Sequence, residues 1–479
     1  MDPEPGAHLL INRWIPLLGI VLWAIPGCGG GDGPPPPSLP ALALATTVLR
    51  LPAGGGGVIA YRSDSLLPGG WASAAVTAVT RPLGYDIDQR IVYFLDRRDR
   101  LTALDMEAGN SRPMVEGVRV ATVGPDGAAF VVDSLGRLIR VSRRTFTTFR
   151  QRFTSPPLAL FGTLGGQVIA LTRDSVTRLQ LHSPEQVSDG VTLEPGPVTA
   201  TIWGEVVSAS SRKGVRLIRL SDARGERTLA LSDAPIDEAF SPSGHRLYVL
   251  TDADQLLVFN RFSGSRIHTV DLPGSARQIR PDPSGRWMLI RPVAADSVWV
   301  LDLATLSPSI LSYPSTWGVT LPLVAGAATL LTAEGLDVVG RDLSVSSPAP
   351  ISVVVGGAED TWLAVPWVPA QQAQAVLAAA ESASAVQDSS LQILPTQGTP
   401  AGPGFYLQVS SSQSEVWARD LANQLSASGL PTVVWSPAGP DEGYRVVIGP
   451  YPSRDEAEET GRRVGRPYFI VTAPSPGRR

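Results

Sequence analysis

A repeat of about 40 residues runs through the middle of the chain and limits the folds open to it. Between about residues 84 and 343, each unit begins with a turn and an apolar strand, followed by a second turn and a second strand. The clearest unit spans residues 240–264, FSPSGHRLYVLTDADQLLVFNRFSG. The turns before the first strands recur at spacings of 38 to 41 residues, at Gln89, Gly127, Gly166, Gly204, Gly244, Gly285 and Gly326. This regularity indicates one supersecondary unit copied along the chain.

The period predicts a β-propeller, because about 40 residues with four short strands per unit is typical of a propeller blade. Gly, Asp-Gly and Ser-Gly at the turns supply the positive φ that tight hairpins need. The apolar runs at 91–95 (IVYFL) and 247–250 (LYVL) are too continuous for half-exposed strands and suit strands packed between blades. We predict seven blades. Strand-like runs in 46–80 and 351–368 either close the ring by pairing the first and last blades or together form an eighth blade.

Composition excludes several classes of function. The formal net charge of −4 offers no basic surface to nucleic acid. One Cys and four His argue against a disulfide framework and against a Cys/His zinc cluster. With 47 Gly and 43 Pro, the chain is rich in turns, which favours many short strands over long helices. We expect no cofactor and no metal.

The repeat shows no catalytic constellation. His245 and His268 lie far apart in sequence, His182 belongs to an earlier unit, and no Ser, His and Asp follow the order of a known hydrolase motif. Asp252 and Asp254 are typical of a hairpin turn. We therefore predict no catalytic residue and a protein-binding surface on one rim. The propeller turns SPSG, PDPSG and GPDG resemble those of WD-repeat and YVTN-type propellers, a resemblance that speaks to fold and not to activity.

The amino end predicts export. Residues 14–25 (WIPLLGIVLWAI) form an apolar run shorter than the roughly twenty residues that span a bilayer, which suits a secretory signal. The run ends at IPGC, and this arrangement resembles a bacterial lipoprotein signal peptide over residues 1–27 with lipidation at Cys28. By the same resemblance, Gly29 points to the outer membrane of a Gram-negative-type bacterium. A cleaved signal with an incidental cysteine and a short membrane anchor are the alternatives. Residues 28–45 read as a flexible Gly/Pro tether.

The last seventy or so residues predict a small α+β domain. Two capping boxes, at 412–415 and 453–456, each precede an amphipathic helical stretch. Period-two or apolar runs predict strands at 405–410, 432–435, 444–448 and 468–471. The order βαββαβ predicts a four-stranded antiparallel, ferredoxin-like sheet with both helices on one face.

The other face of that sheet is expected to be open. Strand alternation places Leu407 and Val409 under the helices, and Gln408 and Ser410 on the open face. Arg445 falls on the open face of the third strand. We expect Gln408 and Arg445 to meet on a shallow exposed surface whose amide and guanidinium donors suit an extended polar ligand.

The stretch FYLQVSSSQSEVWARDLANQLSASGL followed by YRVVIGPYPSRDEAEE resembles the SPOR domain, the sporulation-related repeat. The matching marks are Gln408-Val409, Ala418, Leu421-Ala422, Leu425, Gly429, Tyr444-Arg445-Val446, Gly449-Pro450-Tyr451 and Glu456-Ala457. SPOR domains bind peptidoglycan glycan strands stripped of their stem peptides, often at division sites. The resemblance implies that Gln408, Ser411 and Arg445 contact the glycan, with Tyr406 and Trp435 as further contacts.

The first strand departs from the SPOR pattern at two places. The family usually has Gly where Ser410 stands and an aromatic residue where Ser412 stands. The departure falls inside the strand that would carry Gln408 and Ser411, so the end of that strand is where the implied site is least defined.

Together these features predict a multidomain, mainly β protein. The propeller would occupy 46–368, a linker rich first in Ala and then in Ser, Gln, Thr, Pro and Gly would occupy 369–403, and the SPOR domain would occupy 404–474. We expect a periplasmic lipoprotein that binds glycan strands, with an envelope or division protein on the propeller. Two alternatives remain: a propeller enzyme acting on cell-wall or envelope carbohydrate, and a purely structural anchor between membrane and wall.

Overall fold

The computed structural model describes most of the chain from residue 46 to residue 473. The described ranges are 46–86, 89–124, 127–142, 145–163, 167–173, 175–179, 187–189, 196–201, 206–212, 214–219, 225–303, 306, 309–326, 328–345, 348–369, 404–412, 415–427, 429–437, 444–464 and 468–473. The predicted signal, Cys28, the tether, His182 and nearly all of the predicted linker lie outside them.

Short strands fill the first part of the described chain. The strands up to residue 179 are β1 (Thr47–Leu51), β2 (Gly56–Arg62), β3 (Pro68–Val76), β4 (Val79–Asp86), β5 (Ile91–Asp96), β6 (Leu101–Asp105), β7 (Ser111–Val115), β8 (Val118–Val123), β9 (Ala129–Asp133), β10 (Arg137–Ser142), β11 (Thr145–Arg152), β12 (Ala159–Gly162), β13 (Val168–Leu171) and β14 (Val176–Leu179).

The same pattern continues to residue 365. The strands are β15 (Val187–Asp189), β16 (Val198–Ala200), β17 (Val206–Ser211), β18 (Gly214–Arg219), β19 (Gly225–Ala230), β20 (Pro235–Phe240), β21 (Arg246–Thr251), β22 (Gln255–Asn260), β23 (Arg266–Asp271), β24 (Ala276–Pro281), β25 (Trp287–Pro292), β26 (Ser297–Asp302), β27 (Leu311–Pro314), β28 (Leu323–Ala325), β29 (Thr329–Glu334), β30 (Asp337–Asp342), β31 (Pro350–Val354) and β32 (Thr361–Val365).

Within the described residues these strands form eight four-stranded antiparallel sheets arranged as propeller blades. Seven are consecutive in sequence, from blade 1 (β4–β7) to blade 7 (β28–β31). The innermost strands of successive blades contact one another, for example β4 with β8 and β20 with β24. The predicted apolar runs lie in β5 and β21, the second strands of their blades, and are almost wholly buried because neighbouring blades cover both faces.

The eighth blade joins the two ends of the propeller. Its sheet order is β3-β2-β1-β32, so β32 supplies the inner strand and the chain start supplies the other three. β1 and β32 pair from Thr47 with Val365 to Leu51 with Thr361. Because β32 also contacts β4, this pairing closes the ring. The seven-blade prediction was one short, and the eighth-blade alternative is confirmed.

Glycine at the repeated turns lets successive blades approach closely. Gly285 has a φ of 75°, and a Cβ there would lie 2.8 Å from Cδ of Pro242 in the equivalent turn of the previous blade. Gly127 has a φ of 78°, and a Cβ would lie 2.6 Å from the carboxyl carbon of Asp86. Each glycine therefore meets both a conformational and a steric requirement, which explains its recurrence at the repeat period.

The carboxy-terminal domain has the predicted βαββαβ order. Its elements are β33 (Phe405–Ser412), α1 (Glu415–Ala427), β34 (Thr432–Trp435), β35 (Tyr444–Tyr451), α2 (Arg454–Val464) and β36 (Phe469–Thr472). The sheet order is β34-β35-β33-β36, and every neighbouring pair is antiparallel. Ser453 begins α2 as predicted, because its Oγ accepts a hydrogen bond from the Glu456 amide at 3.1 Å. Ser412, predicted to cap α1, is instead the last residue of β33.

Candidate functional site

The two faces of the carboxy-terminal sheet differ in what packs on them. Leu407, Val446 and Ile448 share one cluster with apolar side chains of both helices, so the helices cover that face as predicted. The opposite face, here called the aromatic face, carries Tyr406, Gln408, Trp435, Arg445 and Val447. Of these, Tyr406, Trp435 and Val447 form a second, smaller cluster. All the predicted glycan contacts lie on this side of the sheet, Ser411 by its pairing with Arg445.

A row of three residues crosses the sheet at the end of the aromatic face. Arg445 on β35 pairs with Ser411 of β33 on one side and with Trp435 of β34 on the other. Directly opposed residues in an antiparallel pair have Cβ atoms about 4.5–5.5 Å apart. The register therefore brings three residues together that are distant along the chain. Ser411 and Trp435 are 24 positions apart, and Trp435 and Arg445 are 10 positions apart.

A β-bulge in β33 places Ser411 opposite Arg445, so the arrangement differs in part from the predicted one. Gln408 pairs with Val447, but Ser410 pairs with Val446, so Val409 is an extra residue. Strand alternation reverses at that point. Ser410 therefore takes a register position on the helix-covered side, contrary to prediction, and Ser411 comes opposite Arg445. Gln408 lies one row further along the sheet and does not pair with Arg445.

The aromatic face is also less exposed than predicted. Tyr406 and Val447 are 0 % exposed, Gln408 is 2 % exposed and Trp435 is 7 % exposed, whereas Arg445 is half-buried. The expectation of a shallow, exposed surface with Gln408 and Arg445 together was wrong. Its physical reason is that two large rings and a branched side chain cluster at the centre of this face. Arg445 lies in the row at the edge of that cluster.

Trp435 carries an unused hydrogen-bond donor. Its indole packs edge-to-face against the Tyr406 ring, with centroids 5.1 Å apart and an interplanar angle of 65°. Among the described residues nothing accepts a hydrogen bond from the buried Nε1 of Trp435. Burial raises the pKa of Tyr406, so its hydroxyl stays protonated at neutral pH. A buried donor without an acceptor is costly, and a ligand oxygen would remove that cost.

Gly449 of β35 lies close to the Tyr406 ring of the aromatic face. This role was not predicted from the sequence. Its φ is 137°, and a Cβ there would lie 3.1 Å from Cδ1 of Tyr406 and 3.0 Å from the carbonyl oxygen of Phe405. Glycine therefore allows the Tyr406 ring to lie against the β35 backbone. The signal was present as the Gly of the Gly449-Pro450-Tyr451 motif, but strand alternation alone does not reveal it.

The start of α2 contacts blade 5 of the propeller. His245, 2 % exposed in the turn before β21, has Nε2 3.0 Å from Oδ1 of Asp455. The Arg454 guanidinium lies over the Phe262 ring, 4.1 Å from its centroid. Burial lowers the pKa of His245, while the carboxylates of Glu458 and Asp455 oppose that shift. These contacts involve the first residues of α2, on the helical side of the carboxy-terminal domain.

Three acidic residues of the propeller, Asp252, Asp254 and Glu238, take part in turns or in hydrogen bonds within the blades. Asp252 accepts a hydrogen bond from the Ala234 amide at 2.9 Å, and Asp254 has a φ of 58°, as a hairpin turn requires. Glu238 is buried and accepts hydrogen bonds at 2.7 Å from the hydroxyls of Ser208 and Ser210. In the part of the chain that the structure describes, no three His, Cys, Asp or Glu side chains are grouped as metal ligands.

Comparison with known families decides what the carboxy-terminal domain is. The SPOR domain family matches residues 401–465, a range that contains β33 to α2. The chain carries a SPOR domain. A SPOR domain implies peptidoglycan binding and a place in the cell envelope. The SPOR match includes all five predicted contact residues, but it assigns none of them a role.

Several solved structures resemble the propeller region in fold, and one of them reaches a TM-score of 0.50. The dihydro-heme d1 dehydrogenase NirN in complex with DHE is 14 % identical, with a TM-score of 0.50 over 67 % of this chain and 75 % of that chain. AztD from Citrobacter koseri is 11 % identical, with a TM-score of 0.49 over 67 % of this chain and 98 % of that chain. BamB from Moraxella catarrhalis is 16 % identical, with a TM-score of 0.40 over 61 % of this chain and 93 % of that chain. At such identities the likeness concerns fold alone. No curated protein matches the chain in sequence.

The described residues contain no helix with the length and apolar character needed to cross a bilayer. The predicted lipid attachment at Cys28 lies outside those residues. It therefore stays a prediction from the sequence.

Proposed function

We propose that this protein is a periplasmic lipoprotein that binds peptidoglycan glycan strands, stripped of their stem peptides, through the aromatic face of its SPOR domain. The observation that carries the proposal is the buried, unpartnered Nε1 of Trp435 in the same row as Arg445. Glycan strands present hydroxyl, acetamido and carboxylate oxygens, which are the acceptors that an indole N–H and a guanidinium take. Sugar rings also pack against aromatic side chains.

Glycan binding at this site would begin at the Ser411–Arg445–Trp435 row. Arg445 is half-buried, whereas Tyr406, Gln408 and Val447 lie deeper. A glycan strand would therefore contact the row first. Gln408 would act through the second row, where it pairs with Val447.

We further propose that Cys28 carries a lipid that holds the protein to the outer membrane. The support is sequence pattern: an apolar run followed by IPGC and a Gly/Pro-rich stretch. An anchor at one end and a glycan-binding domain at the other would link membrane and wall.

The propeller would serve as a binding scaffold without catalysis, and its partner would be an envelope or division protein. Two acidic residues of β20 bear on this view because each accepts two structural hydrogen bonds, although Oε1 of Glu238 has no partner among the described residues. Asp237 accepts from the Glu238 and Ile279 amides, and Glu238 accepts from two serine hydroxyls. The rigid ring would present its variable loops to a partner.

Co-sedimentation with purified sacculi tests the proposal. The full-length chain should pellet with sacculi, and Arg445→Ala should weaken binding by about ten- to a hundredfold, the loss of one charge-assisted interaction of roughly 1.5–3 kcal/mol. Arg419→Ala is the matched control, because Arg419 is an exposed arginine on α1 that pairs with Glu415. Equal binding by wild type, Arg445→Ala and Arg419→Ala would place the site elsewhere.

A further inference from the structure

A pocket of about 440 Å³ that is largely open to solvent, here called the cavity, lies in the propeller beside the first residues of three successive inner strands. It is lined by Pro197 just before β16, Ile236 and Asp237 of β20, Arg277 and Gln278 of β24, and Arg291 of β25. Its volume falls within the roughly 300–1,000 Å³ typical of ligand sites. The cavity is far in sequence from the aromatic face and belongs to the domain for which no ligand has been assigned.

The polar lining is unbalanced in charge. Within the described residues, neither Arg277 nor Arg291 forms a salt bridge, and the buried Nε of Arg291 has no hydrogen-bond acceptor. Asp237 is the one carboxylate among the lining residues, and both of its oxygens are already engaged. Oδ1 accepts from the Glu238 amide and Oδ2 from the Ile279 amide, each at 2.9 Å. The lining therefore carries two guanidinium groups against a single carboxylate that already accepts two backbone amides.

A third arginine, Arg280, lies near Arg291 and adds positive charge to this region. The guanidiniums of Arg280 and Arg291 lie 5.1 Å and 5.7 Å from the ring centroid of Trp317. Arg280 donates to the backbone oxygens of Thr320 at 2.8 Å and Pro322 at 3.0 Å, which are neutral acceptors. Burial, together with the nearby charge of Arg291, lowers the pKa of Arg280. Trp317 thus contacts two arginines, and no carboxylate of the described residues pairs with either of them.

We propose that this cavity binds the carboxylate of a ligand with a short apolar body, either the carboxy-terminal end of a peptide chain or a small organic acid. Arg291 would take the carboxylate through two parallel N–H donors, Arg277 would add a second charge, and Gln278 would supply an amide. Ile236 and Pro197 would contact the apolar body. The inference does not depend on glycan binding, because it rests on residues of the propeller alone.

Isothermal titration of the full-length chain tests the cavity with matched probe pairs. One pair is N-acetyl-leucine and N-acetyl-leucinamide. The other is a hexapeptide ending in Leu with a free carboxylate and the same peptide amidated. We expect both acids to bind with Kd values below about 10 mM and both amides to bind at least about tenfold more weakly. A peptide acid that binds about tenfold more tightly than the small acid would identify a chain end as the natural ligand. Equal affinities would identify a small acid.

Substitutions locate the site. Arg291→Gln and Arg277→Gln should each weaken acid binding by about tenfold, and Arg291→Lys should recover part of the loss because the charge remains without the planar fork. Arg98→Gln removes an exposed arginine of blade 1 and should change nothing. All these variants should sediment with sacculi like wild type, which separates this test from that of the SPOR domain. Binding of acid and amide alike, no binding of either acid, or full binding by both Gln variants would overturn the proposal.

Discussion

Trp435 packs edge-to-face on Tyr406 at 5.1 Å and turns its buried Nε1 toward no acceptor among the described residues. The pair makes a rigid aromatic floor with one unused donor beside Arg445. Trp435→Phe keeps a ring and removes the donor. We expect glycan affinity to fall by roughly 1–3 kcal/mol, with no loss of domain stability, because an unsatisfied donor is removed from the unliganded protein. Titration with solubilised glycan strands and a thermal melt measure the two effects. A large drop in melting temperature, or unchanged affinity, would contradict the assignment of Nε1 as a glycan contact.

Glu238 should make the propeller less stable as pH rises. Burial raises the pKa of Glu238 to about 7 despite the hydrogen bonds from Ser210 and Ser208, against 4.5 in an unfolded chain. The folded state therefore holds more protons than the unfolded state between these pH values, so stability falls as pH rises through that window. The total is on the order of 3 kcal/mol.

Glu238→Gln isolates that effect. The amide oxygen can still accept from the two serine hydroxyls, and the side chain no longer ionises. We expect wild type and Glu238→Gln to have similar melting temperatures near pH 5, and the variant to be clearly more stable at pH 8. The difference between the two melting curves cancels the contributions of other groups, including Asp237, whose pKa burial also raises. Parallel pH profiles for the two proteins would show that Glu238 does not titrate in this window.

Closure of the propeller ring should depend on Asp360, which lies just before β32 and contacts residues in and just after β1. Its Oδ2 lies 2.5 Å from Nε of Arg50, and its Oδ1 accepts from the Ala53 amide at 3.0 Å. Asp360→Ala leaves both partners unsatisfied, which should cost roughly 2 kcal/mol.

The matched control for Asp360→Ala is Asp64→Ala, which breaks an exposed pair with Arg62 on β2 and should cost less than about 1 kcal/mol. Thermal unfolding of the two variants compares the losses directly. Equal losses would mean that the Arg50–Asp360 contact does not secure the eighth blade.

The anchor prediction rests on one residue. Cells expressing the wild-type chain should incorporate a labelled fatty-acid precursor into it, and Cys28→Ala should abolish the label and release the protein from membranes. Cys28 is the only cysteine, so loss of label has one interpretation. Label retained in Cys28→Ala, or absent from wild type, would leave the cleaved-signal or short-anchor alternatives.

Local patterns predicted the blades and the elements of the SPOR domain, because turn glycines and apolar runs act within one unit. Gly285 and Gly127 recur with the period because each abuts the preceding blade. The eighth blade depends on pairing Thr47 with Val365, a contact 318 residues apart that no local pattern specifies. The bulge at Val409 could not be predicted either. Strict alternation placed Ser410 on the same face as Arg445, whereas the structure places Ser411 there.

We propose that the SPOR domain prefers glycan strands without stem peptides. The test measures the affinity of the full-length chain for sacculi before and after an amidase removes the peptides. We expect at least about tenfold tighter binding to the stripped sacculi, and we expect Arg445→Ala to reduce this gain. Equal or weaker binding to the stripped sacculi would contradict it.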